Sequence, residues 1–140
     1  MTKKIILIVF IILWMGLIFY FSSLNGNESE NQSRGFVSRL TTEDESVIDI
    51  IDPIIRKVAH MGVYFVLALL VSLLLKEYNI DLKHILLFTF LICLLYAISD
   101  EIHQLFVIGR SGKTIDVFID SLGIILLELL FYLKEKRNFI

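Results

Sequence analysis

Long apolar stretches alternate with short polar ones along this chain. The first, IILIVFIILWMGLIFYF from Ile5 to Phe21, follows Lys3 and Lys4 and carries no charge. The second runs from Pro53 or Ile54 to Leu75. The third runs from His84 to about Ser99, with its helix continuing through Phe106, and the fourth from Ile115 to Leu133. A helix that crosses a bilayer needs about 20 largely apolar residues. The pattern therefore predicts spans near 4–22, 54–75, 84–103 and 115–133. A signal peptide would also show basic residues before an apolar core, but this core exceeds the roughly 7–15 residues of that class and no A-x-A-like site follows. An uncleaved span is expected. Short links after the second and third runs make successive helices antiparallel neighbours. The expected fold is an all-α integral membrane protein of four antiparallel transmembrane helices, one domain over residues 1–140.

Residues 22–52 form the one long connection, expected outside and rich in acids: Glu28, Glu30, Glu43, Asp44, Glu45, Asp49 and Asp52. Thr42 and Glu45 have capping-box spacing. Val47, Ile48, Ile50 and Ile51 give one apolar face to a short helix over 43–51, suited to the membrane surface. Asp52 and Pro53 read as the N-cap and first residue of the second span. An ordinary solvated loop packing its apolar residues on the bundle fits the same residues.

Composition strengthens the membrane reading. The chain has 140 residues, 56% of them hydrophobic, and a mean hydropathy of +0.78. A soluble domain of this size has too much surface for its volume to hide that much apolar area. The net charge of −2 and the lack of a basic stripe interleaved with aromatics exclude a nucleic-acid partner. Cys93 is the only cysteine, so no intrachain disulfide forms. Basic residues near span ends set orientation. Lys3, Lys4, Lys76, Lys83, Lys134, Lys136 and Arg137 fall on one side; Arg34, Arg39, Arg56, Lys57, Arg110 and Lys113 fall on the other. Arg34 and Arg39 lie mid-way along the long connection. Both termini are therefore expected to be cytoplasmic.

Polar residues gather at one end of the expected bundle. Lys57, His60 and Tyr64 share a helix face that continues as Ala68 and Ser72, small residues that permit close packing. Thr89, Cys93 and Ala97 form a similar stripe leading to Asp100, Glu101 and Gln104, with His103 beside them. Asp116, Asp120 and Gly123 share a face of the last helix. Arg56 and Lys57 stand in what reads as a first helical turn, where the macrodipole disfavours cations, so acids or an anionic ligand are expected nearby. Four acids at the ends of two helices would repel one another without cations, protons or a metal.

The segment GRSGKTID, Gly109 to Asp116, resembles the end of a phosphate-binding loop. That motif needs glycine five residues before the glycine of GKT and a preceding strand. Val107 stands there, and the preceding stretch is helical in pattern. Gly109, Ser111 and Gly112 instead predict a turn that brings Arg110 near the acids, with Asp116 orienting it. No spacing such as H-E-x-x-H supports a metal site, and neither metal nor cofactor is expected. His60 or His103, held by Asp100 or Glu101, are the candidate general bases. Ser22 and Ser23 are conceivable nucleophiles. A buried network that only holds helices together uses the same residues. Glu128, apart from this cluster, is expected to reach toward Lys134.

These residues resemble the VanZ-like family of small bacterial membrane proteins. FSSLNGNESENQS, Phe21 to Ser33, is similar to the family's Ser-Ser segment after the first span. RKVAHMGVYFVLAL carries its Lys-x-x-His-x-x-x-Tyr-x-x-Leu pattern at Lys57, His60, Tyr64 and Leu67. SDEIHQLFVIGRSGKTIDVFIDSLG carries its Asp-Glu-x-x-Gln-x-Phe block, then Arg, Asp and Gly, at Asp100, Glu101, Gln104, Phe106, Arg110, Asp116 and Gly123. Asp120 departs from the family's usual Asn, Ile108 from a common Pro, and Leu127 from a small residue. The extra charge at Asp120 changes how a bound anion would sit.

The resemblance implies a protein of the bacterial plasma membrane. It also implies a link to low-level resistance to teicoplanin-type glycopeptides and other envelope-active antibiotics, with no mechanism attached. The leading reading is an outward polar site, formed by Arg56, Lys57, His60, Tyr64, Asp100, Glu101, Gln104, Arg110, Asp116 and Asp120. It would bind an anionic lipid headgroup, an envelope precursor or a glycopeptide. An intramembrane hydrolase or transferase acting on lipid-linked substrates is the second. A small efflux transporter ranks last, because the first span holds no carboxylate.

Overall fold

A computed structural model describes residues 2–40, 45–110 and 112–137. They form the helices α1 (Thr2–Ser23), α2 (Gly26–Leu40), α3 (Glu45–Glu77), α4 (Leu82–Gln104) and α5 (Thr114–Arg137). No strand occurs among the described residues. α1, α3 and α4 are long and apolar enough to cross a bilayer, so this is an all-α membrane protein. α5 is not among those three. Its Asp116, Asp120 and Glu128 interrupt an otherwise apolar run.

The connection between the first two apolar runs corrects the expectation most. Residues 26–40 are helical, and α3 continues unbroken from Glu45 through Pro53. The short helix expected over 43–51 is thus the start of α3 from Glu45 on, while Thr42, Glu43 and Asp44 lie outside the described residues. Asp52 and Pro53 do not begin a helix. Proline has no N–H, so the Asp49 carbonyl loses its helical partner, yet the helix persists. Asp52, 2% exposed, faces Arg56 one turn on, 3.3 Å from its Nε, instead of capping. Arg56 and Lys57 consequently stand well inside a helix, and the unfavourable first-turn dipole does not arise. At about 1.5 Å per residue the 33 residues of α3 extend about 50 Å. That exceeds the roughly 30 Å hydrocarbon core. Its first turns carry α2, with Val37 and Ile48 buried and Arg34 Nη1 bonded to Asp49 Oδ1 at 2.5 Å.

The core is built on small residues. Ala68 and Ser72 of α3, and Thr89, Cys93 and Ala97 of α4, are fully buried, and Ser72 Oγ lies 3.1 Å from Thr89 Oγ1. Polar atoms away from water need internal partners. Trp14 Nε1 accordingly donates to the Val63 carbonyl at 2.9 Å, and the Tyr96 hydroxyl to the Met15 carbonyl at 2.6 Å. These bonds tie α1 to α3 and α4. α3 and α5 meet where Gly123 faces Met61: a Cβ added at Gly123 would lie 2.1 Å from the Met61 carbonyl oxygen. Outward-facing residues such as Ile12, Leu13 and Leu95 are exposed, as a lipid-facing surface requires.

Lys3 pairs with Glu77, and Lys76 Nζ with Glu135 Oε1 at 2.5 Å. These pairs gather the start of α1 and the ends of α3 and α5 at one end of the bundle. The reach of Glu128 toward Lys134 does not form among the described residues. Glu128 is half-buried, and its Oε1 has no hydrogen-bond partner among the described residues.

Candidate functional site

The opposite end holds a half-open cavity of about 990 Å³. Helical spacing explains its walls. α3 presents Arg56, Lys57, Ala59 and His60; α5 presents Ile115, Asp116, Ile119 and Asp120; both sets recur one turn apart. The end of α4 contributes Glu101 and Gln104, and the hairpin after it Gly109, Arg110 and Lys113. The α1–α2 junction adds Phe21, Leu24 and Gly26, and α2 adds Ser33 and Phe36.

Arg110 is held by backbone more than by acids. Its Nη2 donates to the Phe21 carbonyl at 2.8 Å and its Nε to the Leu24 carbonyl at 2.9 Å. These carbonyls belong to the last turn of α1 and the residue after it. They lack helical partners and carry the negative end of the dipole. Arg110 Nη1 reaches Gln104 Oε1 at 3.4 Å. Gln104 Nε2 in turn donates to Asp100 Oδ2 at 3.1 Å and Glu101 Oε1 at 3.2 Å. The guanidinium thus meets the acids through Gln104, and the expected direct orientation by Asp116 is replaced by the end of α1. Burial pulls Arg110 below its usual pKa, opposed first by Asp100. It remains a cation, because a guanidinium does not deprotonate in proteins.

The turn itself is tightly made. Gly109 has φ 75°, a conformation that costs glycine nothing. The Gly26 amide donates to the Ile108 carbonyl at 3.1 Å, and a Cβ at Gly26 would lie 2.0 Å from the Gly109 carbonyl oxygen. Ser111, expected in this turn, lies outside the described residues. The GKT segment follows a helix, and the Lys113 amide donates to Glu101 Oε2 at 2.8 Å. A phosphate-binding loop would leave that amide to its ligand.

The remaining candidates separate into three places. Arg56, Lys57, His60, Glu101, Gln104, Arg110, Asp116 and Asp120 line the cavity. Tyr64 and Asp100, 0% and 3% exposed, are buried residues that do not line it. His103 is away from it, stacked on Phe19 with centroids 4.3 Å apart. Its Nε2 lies 3.1 Å from Ser23 Oγ. That hydroxyl already donates to the Phe19 carbonyl at 2.7 Å, so it accepts from His103 and is not primed as a nucleophile. His60, expected beside Asp100 or Glu101, instead has its Nδ1 3.7 Å from Asp120 Oδ1. Among the described residues, both Asp120 oxygens, Asp100 Oδ1, the Tyr64 hydroxyl and Ser22 Oγ are buried without a hydrogen-bond partner, a costly arrangement.

Among the described residues, Lys57 and Lys113 have no carboxylate within ion-pair distance of their ammonium groups. No group of three or more His, Cys, Asp or Glu side chains is arranged to hold a metal ion among those residues. The sequence pattern read Lys113 as free to reach water and not as part of this site, and it missed Leu24, Gly26 and Phe36 altogether. Their contributions are a carbonyl, a close backbone approach and a helix lid, and none has a residue-type signature.

A family model described as VanZ/LLP1 matches residues 7–135, a range that takes in every residue lining the cavity. No curated protein and no solved structure matches this chain.

Proposed function

This chain belongs to the VanZ/LLP1 family, and on that premise we propose that its cavity binds the anionic group of an envelope component or an envelope-active drug. Such binding would contribute to low-level resistance to glycopeptides or related antibiotics. The observation that carries this reading is the cavity wall. It holds four cationic side chains, Arg56, Lys57, Arg110 and Lys113. The guanidinium of Arg110 is already bound by carbonyls, and Arg56 faces Asp52. The ammonium groups of Lys57 and Lys113 are uncommitted among the described residues. Charge-assisted bonds to phosphate or carboxylate are roughly twice as strong as neutral ones. The proposed topology has four antiparallel spans in one domain, with α5 as the fourth, both termini cytoplasmic, and α2 with the start of α3 outside. It places the cavity at the outer face of the plasma membrane. The acids of α5 face the bundle interior in this arrangement, as intramembrane carboxylates do.

Expression in a susceptible bacterial host tests the reading. The wild-type chain is expected to raise the inhibitory concentration of teicoplanin or of another envelope-active drug, and Lys57→Gln with Lys113→Gln to abolish the rise at equal membrane abundance. No rise with wild type, or a rise untouched by the double substitution, would sink it.

The His60–Asp120 pair favours one alternative, a hydrolase or transferase acting on lipid-linked envelope substrates. A carboxylate beside one imidazole nitrogen on a cavity wall is the arrangement of a general base. His60→Gln would then abolish turnover of labelled envelope lipids by the purified protein while ligand binding persists.

A further inference from the structure

The cavity wall carries both signs of charge, and on one level the two do not meet. α3 and α5 pass each other running in the same direction, since His60 Nδ1 approaches Asp120 Oδ1 to 3.7 Å and Met61 packs on Gly123. One turn outward, Arg56 and Lys57 of α3 therefore stand level with Asp116 of α5. All three line the cavity. Arg56 is held by Asp52 of its own helix. Among the described residues, the Asp116 carboxylate makes no ion pair and takes no hydrogen bond. The Lys57 ammonium is equally uncommitted among them. Opposite charges at one level of one cavity are left to whatever lies between them.

The helix alone does not explain the negative side. An acid in the first turn of α5 is favoured by the dipole, so Asp116 by itself would imply no ligand. Asp120 lies one turn further in, beyond that benefit. It lines the cavity, is 0% exposed, and has both carboxylate oxygens without a hydrogen-bond partner among the described residues. His60 Nδ1 beside it is unpartnered among them too. Asp120 thus adds negative charge behind Asp116. Glu101, the other acid on the wall, is committed, because Gln104 and the Lys113 amide donate to it. The uncompensated negative charge is on α5, facing the uncommitted ammonium groups of Lys57 and Lys113.

A simple anion answers only half of this wall. Drawn to the lysines, it would stand beside Asp116 and Asp120 and be repelled by them. A ligand that also carries an ammonium turns that repulsion into a charge-assisted bond. For the anionic part, a phosphate offers more acceptor oxygens than a carboxylate, enough for Lys57, Lys113 and Arg56 together.

We propose that the ligand is a phosphate ester bearing a primary ammonium, with its phosphate against Lys57 and Lys113 and its ammonium against Asp116. This rests on the anion-binding reading of the same cavity. Calorimetry on the purified full-length protein in a maltoside detergent at neutral pH tests it. The probes are phosphoethanolamine and ethyl phosphate, which differ only in the ammonium. Phosphoethanolamine is expected to bind at least about tenfold more tightly. Asp116→Asn, which removes no side-chain contact among the described residues, should erase that preference and leave ethyl phosphate bound as well or better. Asp116→Glu should keep the preference. Lys57→Gln with Lys113→Gln should weaken both probes by about tenfold or more. Such a group could belong to a lipid headgroup or to a soluble ester, and dihexanoylphosphatidylethanolamine set against glycerophosphoethanolamine separates the two. Tighter binding of the lipid, weakened by the lysine substitutions, assigns the headgroup; equal binding assigns the soluble ester. If neither ethyl phosphate nor phosphoethanolamine binds, the anion-binding reading falls and this one with it. If both bind equally and Asp116→Asn strengthens both alike, the anion site stands and the ammonium inference is overturned.

Discussion

Arg110 shows how one side chain's role depends on which atoms it reaches. Its fork spans the Phe21 and Leu24 carbonyls and Gln104. A lysine has one nitrogen on a flexible stem and cannot reproduce that geometry. Arg110→Lys is therefore expected to destabilise the protein, by about 1–3 kcal/mol for the lost charge-assisted bonds. Detergent-based thermal unfolding should show a lower Tm. A double exchange, Arg110→Asp with Asp116→Arg, should not restore it, because the partners are backbone carbonyls that no exchange moves. Full rescue by the exchange would show that Asp116 is the true partner.

At the scale of elements, contact between helices outweighs propensity. Gly123→Ala would gain about 1 kcal/mol of helix propensity. Its Cβ would, however, sit 2.1 Å from the Met61 carbonyl oxygen, and overpacking of this kind costs about 1–3 kcal/mol. The clash should win, so Gly123→Ala is expected to lower Tm; an unchanged or higher Tm would show that α3 and α5 separate freely. The α3–α4 link obeys a different rule. Asn79 has φ 55°, a conformation that costs most residues about 1–2 kcal/mol. Asn79→Gly should leave stability nearly unchanged while Asn79→Val lowers it, as thermal unfolding would show. In the same link, the Asp81 carboxylate is bonded to His84 rather than capping α4. That bond holds Asp81 below the usual carboxylate range. Its folded pKa is depressed, so the stabilisation is present above about pH 4 and is lost as pH falls through the folded value. The Tm difference between wild type and Asp81→Asn should shrink steadily as pH falls below about 4; a difference that does not change with pH would refute this.

At the scale of the whole molecule, orientation is the property that gives the cavity its meaning. Single cysteines at Ser38 and Lys136, in a Cys93→Ala background, would be probed on whole cells with an impermeant maleimide. Labelling at 38 and not at 136 is expected. The reverse would put the cavity in the cytoplasm and end its proposed role toward external drugs.

The apolar runs alone determined that helices long enough for a membrane form where α1, α4 and most of α3 lie, because burying a backbone in hydrocarbon requires internal hydrogen bonds. Helical spacing of three and four residues also determined that Lys57 and His60 share a face, as do Asp116 and Asp120. The small stripes at Ala68–Ser72 and Thr89–Ala97 were legible as packing surfaces for the same reason. Three matters escaped. Residues 26–40 are polar, so no apolar period marked α2 as a helix that covers a cavity. Pro53 reads as a start, yet α3 runs through it, because tertiary packing outweighs one missing amide bond. The partners of Arg110 are carbonyls, which every residue carries and no sequence distinguishes. Which groups face one another across 80 or more residues, as Ser23 and His103 do, depends on how helices cross. Tertiary packing decides that, through contacts as local as Gly123 on Met61 and Gly26 on Gly109.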